Sequence, residues 1–547
     1  MTTVVADSPM IELPGLPTTV DAGPVIAQML RRASSPGFGS WWRRAESVGF
    51  CAHPIQLSGA DRSGRRHTVW TRCNNRRHAV CPSCSDLYAR DTWQLVHAGA
   101  AGGHHDIPVE VAARPQVFAT LTAPSYGVVH NATGIPCHTR NGASSATRCS
   151  HGNKLRCNII HSIDDPMVGQ PLCPQCYDYL GHVLFTWHLP ELWRRFTIAL
   201  RRAVSTHLKT VGVKPGSVRV SFVKVVELQA RAIPHIHALI RLDPPPADND
   251  TTGSGDHNRY SPAAPWGGGE PRPAADKHTG WSSPITPADL AALIQHAARH
   301  VRIDIATGAG GSDQQAVRGL RFGTQIDTQP LTPETPITTS DSEADDTARM
   351  TASRLSPRGV AAYLAKYVTK SLHDFGITAR RLAAEAIGDL DVSEHVRAIL
   401  STIAELAEHT ASAGSSLAGI GRWLHTLGYR GHITTKSRHY STTMGALRTA
   451  RATWTRHHMT KHSGRQDDTE SAHFADDVTA STGRRHQPID TDEMLWDFDH
   501  AGHTSAGDRT LVYSAALQRI HTRRIGVVEA RRQARDQQWD PPGRHDD

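Results

Sequence analysis

The most informative segment of the chain is Arg231-Ala232-Ile233-Pro234-His235-Ile236-His237-Ala238-Leu239-Ile240-Arg241-Leu242. Its side chains alternate with a period of two, which predicts a β-strand with His235 and His237 on one face and aliphatic residues on the other. Two imidazoles on a rigid strand can hold one divalent cation and leave positions open for a substrate oxygen. In 547 residues with 34 histidines, a chance His-x-His occurs about twice. The neighbouring segments must therefore decide whether the pair has a function.

The segment before this histidine strand supplies a carboxylate. Residues 217–228 are rich in valine and predict a second strand, which a short turn at 229–233 joins to the histidine strand as an antiparallel pair. Glu227 lies at the end of the first strand, so the pairing brings its carboxylate toward His235 and His237.

A helix further along the chain carries two tyrosines. In the segment 357–370, a helical period places Tyr363, Lys366, Tyr367 and Lys370 within an arc of about 100°, with apolar residues on the opposite side. Only about 0.2 chance Tyr-x3-Tyr pairs are expected, because the chain has 10 tyrosines. The alternative is a surface helix whose tyrosines cover apolar edges and whose lysines point into water.

These residue types together suit one reaction. A metal held by two histidines and a carboxylate can polarise a phosphodiester, and a tyrosine hydroxyl can then attack phosphorus, giving a 5′-phosphotyrosine and a free DNA 3′-OH. Lys366 and Lys370 would stabilise the phenolate and phosphate charges, because a tyrosine with a pKa near 10 needs help near neutrality. Two tyrosines one turn apart would allow successive cleavages.

The cysteines predict structural zinc. The N-terminus has no secretion signal and no segment is long and apolar enough to cross a membrane, so we expect a cytoplasmic protein. Cysteines in that compartment indicate metal binding rather than disulfides. The first cluster consists of Cys51, Cys73, Cys81 and Cys84. It has the ligand set of a tetrahedral zinc site. The alternative is that these cysteines are scattered buried thiols.

A second cluster offers five cysteines for four ligand positions. They are Cys137, Cys149, Cys157, Cys173 and Cys176. We favour Cys149, Cys157, Cys173 and Cys176 as the ligands. The spacing from Cys149 to Cys157 is the same as that from Cys73 to Cys81, and in both cases a Cys-x2-Cys pair follows. Alternatively, His151 or His161 replaces one of the cysteines. The expectation is two zinc ions per chain.

The region 409–466 contains nine lysines and arginines and no acidic residue, in a chain of net charge +8. Interleaved cations, hydroxyls and aromatic rings suit phosphate contacts and base stacking, and a solvated basic face is the alternative. The predicted DNA-binding residues are Arg430, Lys436, Arg438 and Tyr440.

Several stretches resemble a known family. Phe118-Ala119-Thr120-Leu121-Thr122, His235-Ile236-His237 and Tyr363-Leu364-Ala365-Lys366-Tyr367 resemble the three motifs of HUH endonucleases. Gly169-Gln170-Pro171-Leu172-Cys173-Pro174-Gln175-Cys176-Tyr177-Asp178-Tyr179 and Thr435-Lys436-Ser437-Arg438 resemble rolling-circle replication initiators (RepSA type) of actinobacterial plasmids and integrative elements. The resemblance spans residues 45 to 460, and one departure is visible: Ala230 to Pro234 stands where the family has Arg-Gly before the first histidine.

The resemblance implies an HUH core, an antiparallel sheet flanked by helices. Together with the Cys-rich zinc modules and the basic helical C-terminal region predicted from the residues, it gives an α+β protein. It implies Mg²⁺ or Mn²⁺ on His235 and His237 with Glu227 as third ligand, and Tyr367 as the primary nucleophile. We expect a disordered tail at 1–40, a zinc module at 41–100 and the nicking domain at 110–376. The nicking domain contains the second cysteine cluster at 137–176 and flexible inserts at 244–285 and 328–350. A basic DNA-binding region at 377–460 follows, and then a mostly disordered tail with a terminal basic helix at 461–547.

The implied function is the nicking of single-stranded origin DNA. The chain has no Gly-x4-Gly-Lys-Ser/Thr loop, so the helicase, like the polymerase, would come from the host. A relaxase or single-strand transposase would use the same chemistry, but relaxases usually carry their tyrosine ahead of the histidines and such transposases are usually shorter. A non-catalytic zinc-containing DNA-binding regulator remains the alternative of another class.

Overall fold

A computed structural model describes residues 12–16, 20–61, 64–138, 148–245, 280–306, 317–331, 355–369, 375–377, 381–409, 416–463 and 495–538. The predicted α+β class is confirmed: antiparallel sheets are flanked by helices. The chain forms two compact units, one of residues 1–90 with 455–547 and one of residues 91–454. None of the described helices is both long and apolar enough to cross a membrane.

The larger unit is built on a five-stranded antiparallel sheet. In spatial order its strands are β8 (Ile326–Pro330), β3 (Gln116–Leu121), β5 (Pro234–Asp243), β4 (Arg219–Leu228) and β9 (Thr434–Lys436). The predicted pair of β4 and the histidine strand β5 lies at its centre, and Glu227 stands directly opposite His235. Residues 229–233 form the turn between them, with Ala232 at a positive φ of 61°.

One face of the sheet carries the core. Strand alternation turns aliphatic residues of β3 and β5 toward this face, where they are buried: Val117, Ala119, Leu121, Ile236, Ala238, Ile240 and Leu242. Helix α4 (Tyr179–Thr210) covers it, and its Trp193 ring meets Phe222 of β4 edge-on at 5.1 Å between centroids. Helix α5 (Pro287–His300) packs beside it and starts with a capping box between Thr286 and Asp289.

The rest of the larger unit surrounds this layer. It includes the hairpin of β6 (Ile303–Ala306) and β7 (Val317–Leu320), helix α6 (Pro357–Tyr367), helix α7 (Glu394–His409), and the 3₁₀ turns Val109–Ala113, Pro174–Cys176, Pro215–Ser217, Ala384–Ile387 and Ile420–Thr426. Helices α3 (Pro82–Ala101) and α8 (Met444–Ser463) contribute residues to both units.

The smaller unit joins the two ends of the chain. Strand β1 (Ile55–Ala60) pairs with β2 (Arg66–Thr71) on one side and with β10 (Leu495–Ala501) on the other. Helices α1 (Ala22–Ala33), α2 (Phe38–Ser47) and α9 (Ala506–Gln538) complete it. Arg32 donates two hydrogen bonds of 2.7 Å to the Asp508 carboxylate, which links α1 to α9.

The described ends of the chain contain more regular structure than the disordered tail expected at 1–40 and the mostly disordered tail with a terminal basic helix expected at 461–547. Residues 22–33 are helical, and 495–538 form β10 and α9. The physical reason is long-range pairing: β10 obtains its backbone partners from β1, more than 400 residues earlier, which local composition does not reveal. Most of the two predicted inserts, 246–279 and 332–350, lies outside the described residues.

Candidate functional site

The face of the central sheet opposite the core carries the histidine pair. Glu227 Oε2 lies 3.0 Å from His237 Nε2, and Thr120 of the neighbouring strand β3 places its hydroxyl 3.1 Å from His237 Nδ1. With Glu227 ionised, His237 donates from Nε2 and accepts from Thr120 at Nδ1. The carboxylate and both strands thus fix the ring orientation of His237.

His235 has the properties of a ligand that lacks its partner. Its ring is buried, and within the described part of the chain its Nε2 has no hydrogen-bond partner. Burial, with Arg231 and His237 nearby, lowers the pKa of His235 to about 3, so the imidazole is neutral at physiological pH. One ring nitrogen of His235 is therefore available, but His235, His237 and Glu227 are not among the described groups whose possible ligand atoms all lie within 4.8 Å of one another.

Helix α6 brings the two tyrosines to the same face. Its start is fixed by Ser356, whose hydroxyl accepts a hydrogen bond from the Gly359 N–H at 3.1 Å. Its apolar side, Val360, Ala361, Leu364 and Ala365, is buried. The predicted division of the helix into an apolar side and a tyrosine side is therefore observed.

The tyrosine rings lie against the histidine strand. The His237 ring centroid is 5.2 Å from that of Tyr363, edge-on, and 5.8 Å from that of Tyr367, nearly parallel. The two tyrosine rings are 4.5 Å apart, and Phe118 of β3 meets Tyr363 at 5.6 Å. Residues more than 100 positions apart in the sequence thus form one cluster.

The two tyrosines differ in their surroundings. Burial, then Tyr367 and Glu227, raise the pKa of Tyr363 well above its ordinary value. The Lys366 ammonium lies 5.7 Å from the centroid of the Tyr367 ring. Lys370 lies outside the described residues. The surroundings therefore disfavour ionisation of Tyr363.

The first cysteine group has the geometry of a four-sulfur metal site. Cys51, Cys73, Cys81 and Cys84 place their sulfurs within 4.8 Å of one another. The Cys51 sulfur is 3.8 Å from that of Cys81 and 3.6 Å from that of Cys84, and a tetrahedral zinc with bonds of about 2.3 Å requires about 3.8 Å. This group can hold a metal ion, and its four members are those predicted from the sequence.

The second group differs from the favoured set. Cys149, Cys173 and Cys176 converge with His151, whose Nδ1 is 3.2 Å from the Cys176 sulfur, while Cys157 lies in another group with His130, Cys137 and His161. The histidine substitution left open for this site is the arrangement observed. Cysteine spacing alone assigns Cys157 to the wrong group. The backbone N–H of His138 donates to the Cys157 carbonyl at 2.8 Å, and this pairing places Cys157 near Cys137.

The predicted DNA-binding residues have unequal exposure. Arg430 and Arg438 are exposed, and the Arg430 guanidinium lies 4.4 Å from the centroid of the Trp187 ring. Lys436 in β9 is half-buried and donates to the Arg438 carbonyl at 3.0 Å.

Tyr440 does not suit the predicted role. Its side chain is fully buried, its hydroxyl donates to the Val96 carbonyl at 3.2 Å, and the buried Arg241 guanidinium lies 4.9 Å from its ring centroid. A base cannot stack on a ring whose faces are covered, so the structure gives Tyr440 a structural role.

Sequence reasoning missed several residues near these sites. Thr120 was recognised only as part of a motif, whereas the structure shows its bond to His237. His130 was not identified as a possible ligand, and His161 was named only as an alternative ligand of the second cluster; the sequence signal for a further group was the fifth cysteine left over from that cluster.

Comparisons with known proteins identify the family of the chain. The profile of the family described as "RepSA: Replication initiator protein, pSAM2" matches residues 37–517. A protein of Streptomyces ambofaciens named "Replication initiator protein" is 32% identical over 545 residues, covering 96% of this chain and 99% of its own length. No solved structure matches this chain.

The chain is thus a replication initiator, a class of protein that acts at origin DNA. It belongs to the RepSA family, as the resemblance in its motifs predicted.

Proposed function

We propose that this initiator nicks single-stranded origin DNA by transesterification onto Tyr367, with an HUH-type core. The observation that carries the proposal is the convergence of Glu227, His235 and His237 with two tyrosines on one face of the central sheet. A purely structural histidine pair would not require a carboxylate, an unpartnered buried nitrogen and two tyrosine rings on the same face of the sheet.

The donor types of His235, His237 and Glu227 suit a divalent cation, which these residues would hold once their ligand atoms, not all within 4.8 Å of one another in this structure, move together. When bound, Mg²⁺ or Mn²⁺ would supply Lewis acidity toward a phosphate oxygen. Thr120 and Glu227 hold the His237 ring in place, and burial keeps His235 neutral and ready to bind. To bind the cation through Nε2, His237 would shift its proton to Nδ1, where it can donate to the Thr120 hydroxyl.

The proposed reaction balances without ATP. The Tyr367 oxygen loses its proton and attacks phosphorus, a P–O(tyrosine) bond forms as the P–O3′ bond breaks, and the departing 3′ oxygen takes up a proton. Lys366 stabilises the phenolate and then the phosphate charge. The ester linkage conserves the bond energy, so a second attack by a 3′-OH can rejoin a strand, and Tyr363 lies close enough to Tyr367 to take part in a second cleavage.

The free 3′-OH would prime rolling-circle synthesis by a host polymerase, with a host helicase separating the strands. Arg430, Lys436 and Arg438 would contact the phosphates of the origin. The first two cysteine groups would each hold one structural zinc.

The direct test is a covalent adduct. Wild-type protein is incubated with single-stranded origin DNA carrying a label 3′ of the nick and with Mg²⁺ or Mn²⁺, and the products are separated on a denaturing gel. We expect a labelled protein band that requires the cation and disappears with a chelator. Binding to origin DNA without any adduct on either strand would instead support a non-catalytic DNA-binding regulator.

A further inference from the structure

The larger unit contains one more group of converging ligands. His130, Cys137, Cys157 and His161 place one nitrogen or sulfur atom each within 4.8 Å of one another. His130 Nδ1 lies 3.2 Å from His161 Nε2, the Cys157 sulfur 3.3 Å from His161 Nε2, and the Cys137 sulfur 3.8 Å from His130 Nδ1. For a tetrahedral zinc, bonds of about 2.0 Å to nitrogen and about 2.3 Å to sulfur give separations of about 3.3 to 3.8 Å.

The surroundings of the four side chains also fit a metal site. His161 Nδ1 is 2.6 Å from the Asp165 carboxylate, which fixes the tautomer that leaves a lone pair on Nε2. The backbone N–H of Asn131 donates to the Cys137 sulfur at 3.3 Å, a contact that favours a thiolate. The side chains of Cys137, Cys157 and His161 are buried.

This group is independent of the other two. The four ligands around Cys149 form a complete set of their own, and so do those around Cys51. The three groups together use all nine cysteines of the chain, each in one group. The leftover cysteine of the second cluster therefore has a place.

The four side chains belong to a segment that packs on the turn before the histidine strand. The backbone of His130 pairs with Gly169 and Gln170 through two hydrogen bonds of 2.9 Å. Gly169 has a φ of +89° and approaches the backbone of Ala230 so closely that a Cβ there would overlap the Ala230 carbonyl. On the other side, His395 Nε2 lies 3.1 Å from the Arg231 carbonyl.

We propose that His130, Cys137, Cys157 and His161 form a third zinc site, which holds the described residues 128–138 and 148–172 against the turn that leads into His235. Two thiolates and two imidazoles in a closed tetrahedral set select zinc over the hard cations Mg²⁺ and Mn²⁺. The site is structural, because four protein ligands leave no position for substrate.

Metal content of the full chain tests the proposal. Wild-type protein from zinc-replete cells should contain three zinc ions, and X-ray absorption at the zinc edge should give an average of three sulfur and one nitrogen ligands, since the three groups offer nine sulfurs and three nitrogens. Two ions per wild-type chain, with a sulfur share above that average, would overturn the third site.

Variants identify the ligands. His161→Ala should lower the content to two zinc ions, whereas His138→Ala should keep three, because the His138 ring contacts the Val129 carbonyl and belongs to no group. His161→Cys, which restores a ligand, should return to three and remains informative if His161→Ala does not fold. Three zinc ions in a folded His161→Ala protein would refute the assignment. We also expect trypsin to cut the segment 148–156 at least tenfold faster in His161→Ala than in His138→Ala.

Discussion

The ring of Tyr367 stacks on that of His237, with centroids 5.8 Å apart and planes inclined by 28°. His237 lies on the central strand of the sheet, and Tyr367 lies on α6, one helical turn after Tyr363. The ring of Tyr363 meets that of His237 edge-on. The two tyrosines thus present different geometries to the same histidine. This asymmetry, with Lys366 beside the Tyr367 ring, assigns them different roles in the proposed reaction.

Replacing Tyr367 with phenylalanine should abolish the covalent adduct, with a loss of at least about a hundredfold in the rate of nicking. The ring and its packing on His237 remain, so the free energy of unfolding should change by less than about 1 kcal/mol. The measurement is adduct formation on a denaturing gel beside thermal unfolding of the same preparation.

Tyr363→Phe is the matched control. Burial raises the pKa of the Tyr363 hydroxyl and disfavours its ionisation, so its removal should leave the first cleavage within about tenfold of wild type and impair the second cleavage. The opposite result, in which Tyr363→Phe abolishes the adduct and Tyr367→Phe keeps it, would exchange the two roles.

Glu227→Gln should weaken the proposed cation site. The amide lacks the negative charge of a carboxylate and also changes the partner of His237 Nε2, so we expect a 10- to 100-fold lower apparent affinity for Mn²⁺ in nicking. A higher Mn²⁺ concentration should recover part of the activity. Glu408→Gln, at an exposed position of α7, should behave as wild type. Equal dependence on Mn²⁺ in both variants would remove Glu227 from the ligand set.

The sequence predicted the centre of the site because its signals are local. The alternation of side chains identified β4 and β5, and the short turn between them placed Glu227 opposite His235. Helical periodicity put both tyrosines on one side of α6. Which other elements would cover this face depends on long-range packing. Tyr440 shows the consequence: its basic neighbours suggest a DNA contact, but the ring is buried beside Arg241, about 200 residues away.

The cysteine groups show a similar division. Cys51, Cys73, Cys81 and Cys84 were predicted together because no other cysteine competes nearby. Between 130 and 176, two groups interleave in the sequence, so spacing does not determine which ligands share a metal. Backbone pairing decides instead, and it became visible only in the three-dimensional arrangement. The same reason hid the pairing of β10 with β1.

Arg438→Ala and Tyr440→Phe should separate DNA contact from folding. Arg438 is exposed, so its loss should weaken binding of single-stranded origin DNA and reduce the slope of log K against log salt by about 0.7, the contribution of one phosphate contact. Tyr440→Phe removes a buried hydrogen bond to Val96 and should cost about 1 kcal/mol of stability without changing the salt slope. A changed slope in Tyr440→Phe, measured by fluorescence anisotropy, would contradict its structural role.

Lys224 should destabilise the larger unit at neutral pH. Its side chain is buried on the core face of β4, with Nζ 3.4 Å from the His432 carbonyl and 5.8 Å from the Trp193 ring centroid. Burial lowers its pKa from 10.5 to about 8. Because the unfolded state binds this proton more tightly, the penalty is complete below pH 8 and fades as the pH rises to 10.5.

Lys224→Met removes that penalty. A lowering from 10.5 to about 8 corresponds to about 3 kcal/mol, and the lost contacts with His432 and Trp193 offset about half. We therefore expect the variant to gain about 1 to 2 kcal/mol in free energy of unfolding at pH 7 and nothing at pH 10.5, relative to the exposed control Lys214→Met. Urea unfolding at both pH values measures the difference. A gain that does not shrink with rising pH would mean that Lys224 is destabilising for a reason other than its buried charge.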